Sequence, residues 1–151
     1  MVSTRLDELE LRAWQSLLHA HHDVVGRLDA ELREHHGITF SEYDVLLRLA
    51  RAPERALSMG ELAERTMLSP SGTTRLVDRL EASELLVRRP APGDGRVALA
   101  TLSPAGLRLL RAAARTHLRG IREYFTRRLT RRQLGQLASA LETIAGEHAP
   151  H

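Results

Sequence analysis

The chain contains no cysteine. That excludes disulfides, cysteine-ligated zinc and any thiol-based redox sensor. It contains no lysine either, so all 22 basic residues are arginine. Alanine and leucine are also heavily used, and the arginine-only surface reads first as bias toward GC-rich codons. Selection for bidentate phosphate contacts is the weaker explanation. Aromatic residues are scarce, 3% against 42% hydrophobic overall, so the core must be aliphatic. No apolar run approaches the length of a membrane span, and the first ten residues are too charged for a signal peptide. The expectation is a cytoplasmic protein that engages no membrane.

At 151 residues the chain is one domain, or one domain with helical extensions. Its net charge of +3 is unevenly spread. Residues 1–64 carry 7 arginines against 12 acids, residues 65–100 carry 6 against 4, and residues 101–151 carry 9 against 3. A basic back half fits a polyanion partner, although charged helix faces are more often simply solvated.

Helix starts are well marked. Residues 5–35 carry two adjacent apolar stripes, one through Leu6, Leu9, Ala13, Leu17, Ala20 and Val24, the other through Leu11, Trp14, Leu18, Val25, Leu28 and Leu32. So wide a sector predicts a helix covered on two sides, by its own domain and by a second subunit. Gly37 ends it. Thr39 with Glu42 and Ser58 with Glu61 match capping boxes. The first opens a helix with Tyr43, Leu46, Leu47 and Ala50 inward, closed by Pro53. The second opens a short helix, 59–66, with Leu62 and Ala63 inward. Ser69-Pro70 caps another, to about Ala82, with Leu76, Val77 and Leu80 inward. Met67 and Leu68 alone separate these two helices, and so short a turn forces a sharp crossing. Residues 85–89 and 97–102 are strand candidates flanking a turn-rich loop with Asp94-Gly95-Arg96 at its tip. Ser103-Pro104 starts a helix to about Arg128, and Thr130 with Gln133 caps the last one. The tail from Glu147 is expected to fray.

Helix, short turn, helix and hairpin in that order make a winged helix-turn-helix. The fold class is mainly α with a small β-hairpin wing, flanked by long terminal helices. Ser69, Ser71, Gly72, Thr73, Thr74 and Arg75 are small or flexible hydrogen-bonding residues read as the exposed start of the second helix. They suit the first turns of a helix that enters a groove about 12 Å wide, and free N–H groups there suit a phosphate. Arg75 is a candidate for a guanine edge and Arg79 for a backbone phosphate. Asp94 and Arg96 stand two apart across Gly95, so the carboxylate can orient a guanidinium destined for the minor groove. The plainer alternative is a turn with a surface ion pair worth under ~1 kcal/mol. Arg88 and Arg89 add charge at the same edge.

Residues 59–103 resemble the MarR family of bacterial transcription regulators. The run from Ser69 to Glu81 is similar to that family's recognition helix. Asp94-Gly95-Arg96 through Thr101-Leu102-Ser103 is similar to its wing signature. The flanking helices match as well. The resemblance implies that Ser71, Thr73, Thr74 and Arg75 face bases or nearby phosphates, that Arg96 enters the minor groove and that Asp94 orients it. It also implies a homodimer made by the first and last two helices, which divides the chain into residues 1–38, 39–102 and 103–151. Two recognition helices about one turn of DNA apart read a pseudo-palindrome. One departure is Glu84, where such proteins carry glycine after the recognition helix. A left-handed glutamate costs roughly 1 kcal/mol or more, so either the helix ends differently or the wing attaches off the common geometry.

Family members often release DNA when a phenolic or other aromatic acid binds between the dimer frame and the DNA-binding lobes. The resemblance implies such a cleft, with Trp14, His19, His22, Tyr43, Asp44 and Arg48 as candidate lining. Trp14, on an apolar stripe, reads first as core or interface and only second as a ligand platform, and Asp44 reads also as a residue favouring a helix dipole. His19 and His22 lie three apart and His35-His36 end the helix, but no HExxH occurs, so no metal or cofactor is expected. Protonation of His19, His21 and His22 at an interface is a further alternative. Arg108, Arg111, Arg115, Arg119 and Arg122 form an exposed row. Arg127, Arg128, Arg131 and Arg132 suit pairing with the acidic first helix. No catalytic set stands out, and the chain is not expected to be an enzyme. The leading expectation is a homodimeric, ligand-relieved repressor on double-stranded DNA. A metal-responsive regulator and a helical interaction protein that does not bind DNA stand as alternatives.

Overall fold

The computed structural model describes residues 4–66 and 68–146. Met67, expected in the turn, and the tail from Glu147 lie outside them. The elements run α1 (Glu8–His36), α2 (Phe40–Arg51), a 3-10 turn (Pro53–Arg55), β1 (Ala56–Ser58), α3 (Met59–Thr66), α4 (Pro70–Ala82), β2 (Leu86–Ala91), β3 (Asp94–Leu102), α5 (Pro104–Tyr124), a second 3-10 turn (Thr126–Arg128) and α6 (Arg131–Ala145). The chain is mostly helical, as expected. The wing is a three-stranded antiparallel sheet in the order β1-β3-β2, rather than a bare hairpin.

Capping chemistry sets the helix starts. Thr39 accepts from the Glu42 N–H at 3.0 Å while Glu42 Oε2 accepts from the Thr39 N–H at 3.0 Å. Ser58 with Glu61 and Thr130 with Gln133 repeat the exchange. Asp7 with Glu10 does the same ahead of α1, which therefore starts at Glu8 rather than residue 5. Each such cap is worth about 1 kcal/mol. At the other end Gly37, at φ +68°, ends α1, and its N–H donates to the Arg33 carbonyl at 3.1 Å.

The chain divides into two units, residues 28–117 and a second made of 1–27 with 118–151. The divisions fall inside α1 and α5, whereas sequence reading places them at element ends. The first unit, the lobe, has a closed aliphatic core. Leu32, Val45, Leu46, Leu49, Leu62, Val77, Leu80 and Leu86 are fully buried there, each contributing about 1.5–3 kcal/mol. On α2 the inward set is Tyr43, Val45, Leu46 and Leu49, while Leu47 and Ala50 are only partly covered. In the second unit, the frame, Gly120 is the one buried residue among those described. Leu6, Leu9, Leu11, Trp14, Leu18 and Ile144 are exposed, so neither stripe at the start of α1 is covered within the chain.

Candidate nucleic-acid interface

The second helix of the helix-turn-helix is α4. Ser69 Oγ accepts from the Gly72 N–H at 3.1 Å, and Pro70 occupies the first turn. Gly72 leaves room for that cap, since a Cβ there would stand 3.0 Å from Ser69 Oγ. Ser69, Ser71, Thr74, Arg75 and Arg79 are exposed. Gly72 is half-buried.

Thr73 does not belong with them. It is 1% exposed, and its hydroxyl donates to the Ser69 carbonyl at 3.0 Å. Position 73 repeats at three, four and seven residues in Leu76, Val77 and Leu80, the core-facing stripe of α4. Its small polar character suggests exposure, and helical phase overrides it. Thr74, one residue on, is exposed and returns its hydroxyl proton to the Pro70 carbonyl at 3.0 Å, which leaves oxygen lone pairs outward.

Arg79 extends over α2. Its Nε donates to Glu42 Oε1 at 3.2 Å, yet 60% of the side chain remains exposed. Glu42 thus caps α2 and holds a recognition-helix arginine at once. Asp29 of α1 accepts from the Phe40 N–H at 2.8 Å and from Arg33 Nε at 2.7 Å. Burial acts to raise the Asp29 carboxyl, and the Phe40 amide and Arg33 outweigh it, so its pKa is lowered.

Arg88 of β2 is engaged. Its Nη2 donates to Asp78 and, at 3.3 Å, to the Thr74 carbonyl, and its Nη1 donates to Glu81 Oε1 at 3.3 Å. Its backbone N–H donates to Glu81 Oε2 at 2.7 Å. Arg89, the next residue, is exposed. Sequence reading groups both as charge at the wing edge. The acceptors at positions 78 and 81 are visible in the sequence, but nothing local names Arg88 as their partner.

The hairpin turns at Pro92-Gly93, with Gly93 at φ +80°. Sequence reading places the tip at Asp94-Gly95-Arg96, but these are the first residues of β3, and Ala91 pairs with Asp94 across the turn. Asp94 Oδ1 accepts from the Arg96 backbone N–H at 3.0 Å. The carboxylate therefore orders the backbone there, and the ion pairs among the described residues include none between the two side chains. Arg96 is exposed.

Glu84 adopts the left-handed conformation, φ +59°. The Leu85 N–H donates to the Leu80 carbonyl at 3.0 Å and the Glu84 N–H to the Glu81 carbonyl at 2.9 Å, a complete Schellman ending. Glutamate accepts the conformation glycine would take, and the helix ends in the ordinary way. The junction between Glu84 and α5 is tightly held. Ser103 Oγ donates to the Glu84 carbonyl at 2.7 Å, and the Ser103 N–H donates to the Leu85 carbonyl at 3.1 Å. A Cβ on Gly106 would sit 2.0 Å from that same Leu85 carbonyl, so only glycine lets α5 begin there.

The candidate effector residues divide between the units. Trp14, 54% exposed, His19 and His22 are on the frame. In the lobe Tyr43 is buried, and Asp44 accepts from Arg48 Nε at 2.9 Å. Sequence reading misses His117, whose ring lies 4.4 Å from Tyr43 and 5.7 Å from Phe40. Its helical spacing from Leu110 and Ala113 is the available signal. Its Nδ1 is buried without a hydrogen-bond partner among the described residues. Burial lowers the His117 pKa, partly opposed by Asp44. His36 Nε2 lies 2.7 Å from Thr116 Oγ1, and its pKa is lowered by burial and then by His35. Among the described residues no group of three or more His, Asp or Glu is placed to hold a metal ion. No described helix is long and apolar enough to cross a membrane.

A capped helix with an exposed hydroxyl-and-arginine start, crossed by a short helix and followed by an arginine-bearing hairpin, defines a winged helix-turn-helix. Residues 36–97 match the profile of the MarR family. The solved structure of Sco3205, a MarR family transcriptional regulator from Streptomyces coelicolor in complex with DNA, is 30% identical. That likeness covers 97% of this chain and 95% of that one, with a TM-score of 0.89. CouR from Rhodococcus jostii RHA1, solved bound to p-coumaroyl-CoA, is 26% identical over 89% of this chain and 92% of its own, with a TM-score of 0.75. The HTH-type transcriptional regulator MhqR of Bacillus subtilis is 28% identical over 105 residues, 70% of each chain. The chain belongs to the MarR family and is a transcriptional regulator.

Proposed function

We propose that the chain acts as a cytoplasmic homodimeric repressor. It binds a pseudo-palindromic operator through α4 and the wing, and a small aromatic ligand releases it. The observation that carries this reading is the joint exposure of Ser71, Thr74 and Arg75 on one element and Arg96 on the other. A helix start rich in hydroxyls and arginine suits base edges and phosphates in the major groove. A guanidinium on a projecting strand suits the negative potential of the narrow groove beside it. The DNA-bound Sco3205 complex supports the polyanion partner. The protein acts by binding and carries out no catalysis.

The exposed apolar frame supports the dimer. Leu17, Val24, Phe125, Leu141 and Ile144 line an apolar groove of about 590 Å³ within it. A second copy covers such a surface and holds two α4 helices at one spacing. The CouR complex with an aromatic acyl thioester supports an aromatic effector.

The decisive test is a band-shift on the DNA upstream of the chain's own gene. Wild type is expected to prefer that duplex over random DNA, with affinity falling steeply as salt rises. Arg96→Ala is expected to weaken specific binding by roughly tenfold or more. Equal affinity for both duplexes would reject the reading. Thermal-shift screening against aromatic acids and their thioesters then identifies the effector by mass action.

A further inference from the structure

We infer that Arg88 is a positioning residue for the wing. It pins the base of β2 to the recognition helix and so sets the step between the major-groove reader and Arg96. The inference rests on the DNA-binding reading above.

Adjacent strand residues point to opposite faces, and the structure separates Arg88 from Arg89 in that way. Arg89 is exposed, while only 27% of the Arg88 side chain is accessible. Thr74, Asp78 and Glu81 recur at four and three residues, one flank of α4. Arg88 reaches all of them, through the Thr74 carbonyl, the Asp78 carboxylate and both oxygens of Glu81. The backbone N–H supplies the Glu81 Oε2 bond; the planar guanidinium fork supplies the other three, and a lysine ammonium cannot reproduce those.

Beyond Arg89, whose cross-strand partner Leu99 also pairs with Ser58 of β1, the strand pairing among the described residues is the hairpin's own ladder. Register is irregular between Pro90 and Ala91, and Pro92 to Ala98 are exposed. Arg88 is thus, among the described residues, a side-chain tie between α4 and the base of the projecting part of the wing. The Asp78 and Glu81 carboxylates neutralise its charge, so it is poorly placed to serve as a phosphate contact. Without the guanidinium, Asp78 loses its ion pair and Glu81 keeps only the backbone N–H of residue 88, so the wing is held to α4 less firmly beyond Leu86.

A double-mutant cycle tests the inference, using fluorescence anisotropy on the upstream duplex with Arg88→Ala, Arg96→Ala and the double variant. If Arg88 acts through Arg96, the double variant binds no more weakly than Arg96→Ala alone, because the losses are not additive. Arg88→Lys, which keeps the charge but not the fork, fails to restore binding. Additive losses, rescue by Arg88→Lys, or wild-type binding by Arg88→Ala would each overturn the inference. Should Arg88→Ala melt below the assay temperature, Asp78→Ala removes one carboxylate of the same tie from the helix side and the cycle is repeated with it. A wild type that binds operator and random duplex alike would instead sink the DNA-binding reading, a result the cycle cannot mimic.

Discussion

The lobe and the frame are made of the same kind of helix and end differently. In the lobe α2, α4 and the start of α5 bury their leucines against one another and the sheet. In the frame α6 buries no residue at all. The contrast runs even within α1. Leu28 and Leu32 are buried, whereas Leu9, Leu11, Leu17 and Leu18 on the same helix are exposed, and Ile144 of α6 is 77% exposed. An amphipathic stripe therefore states only that a surface must be covered. Whether the chain itself supplies the cover depends on which elements return to it.

Substitutions that separate the two regions sharpen this contrast. Leu46→Ala removes a side chain with no exposure and is expected to lower unfolding stability by about 2–5 kcal/mol in denaturant titration. Leu141→Ala, on a partly open surface, is expected to lower it by less than half as much in dilute protein. Equal losses would mean that the frame is already closed within one chain. Next in size, Leu9→Glu combined with Ile144→Glu is expected to shift sedimentation from dimer toward monomer while the lobe keeps its far-ultraviolet signature. A dimer that survives both charges would move the interface elsewhere.

Two smaller effects test details of the lobe. Glu84→Gly relieves a left-handed glutamate and is expected to raise stability by roughly 1 kcal/mol, with the Schellman bonds intact. A loss would mean that the Glu84 side chain has a favourable role of its own. The last effect is titration. His117 and His36 both have pKa values lowered in the folded chain. The unfolded chain therefore binds more protons as pH falls below the ordinary imidazole value of about 6.5. Their contribution is complete above that pH, is lost as pH falls toward the depressed folded value, and levels off below it. His117→Gln should flatten the melting-temperature profile across that window. An unchanged slope would place the effect on His36.

Much of the lobe is readable without coordinates. Thr39, Ser58 and Ser69, like Thr130 in the frame, mark helix starts because a cap is a contact spanning three residues, and both partners lie in one short window. The bounds of α4 follow directly from Ser69-Pro70 and the apolar spacing behind them. The exposed part of the candidate interface, Ser71, Thr74, Arg75 and Arg96, is readable for the same reason. β1 is not, because Ala56–Ser58 is too short to show a period and exists only through its pairing with β3.

Local chemistry written into the order of residues determined where helices begin and end, which faces are apolar and which arginines stand near the start of α4 and on the wing. Tertiary structure alone decided that Thr73 faces the core, that Arg88 is tied to Asp78 and Glu81, and that His117 lies against Tyr43. Each of those facts joins groups distant in sequence or depends on helical phase against a neighbour. The closed core selects the partners of Thr73 and His117, and the packing of β2 beside α4 selects those of Arg88.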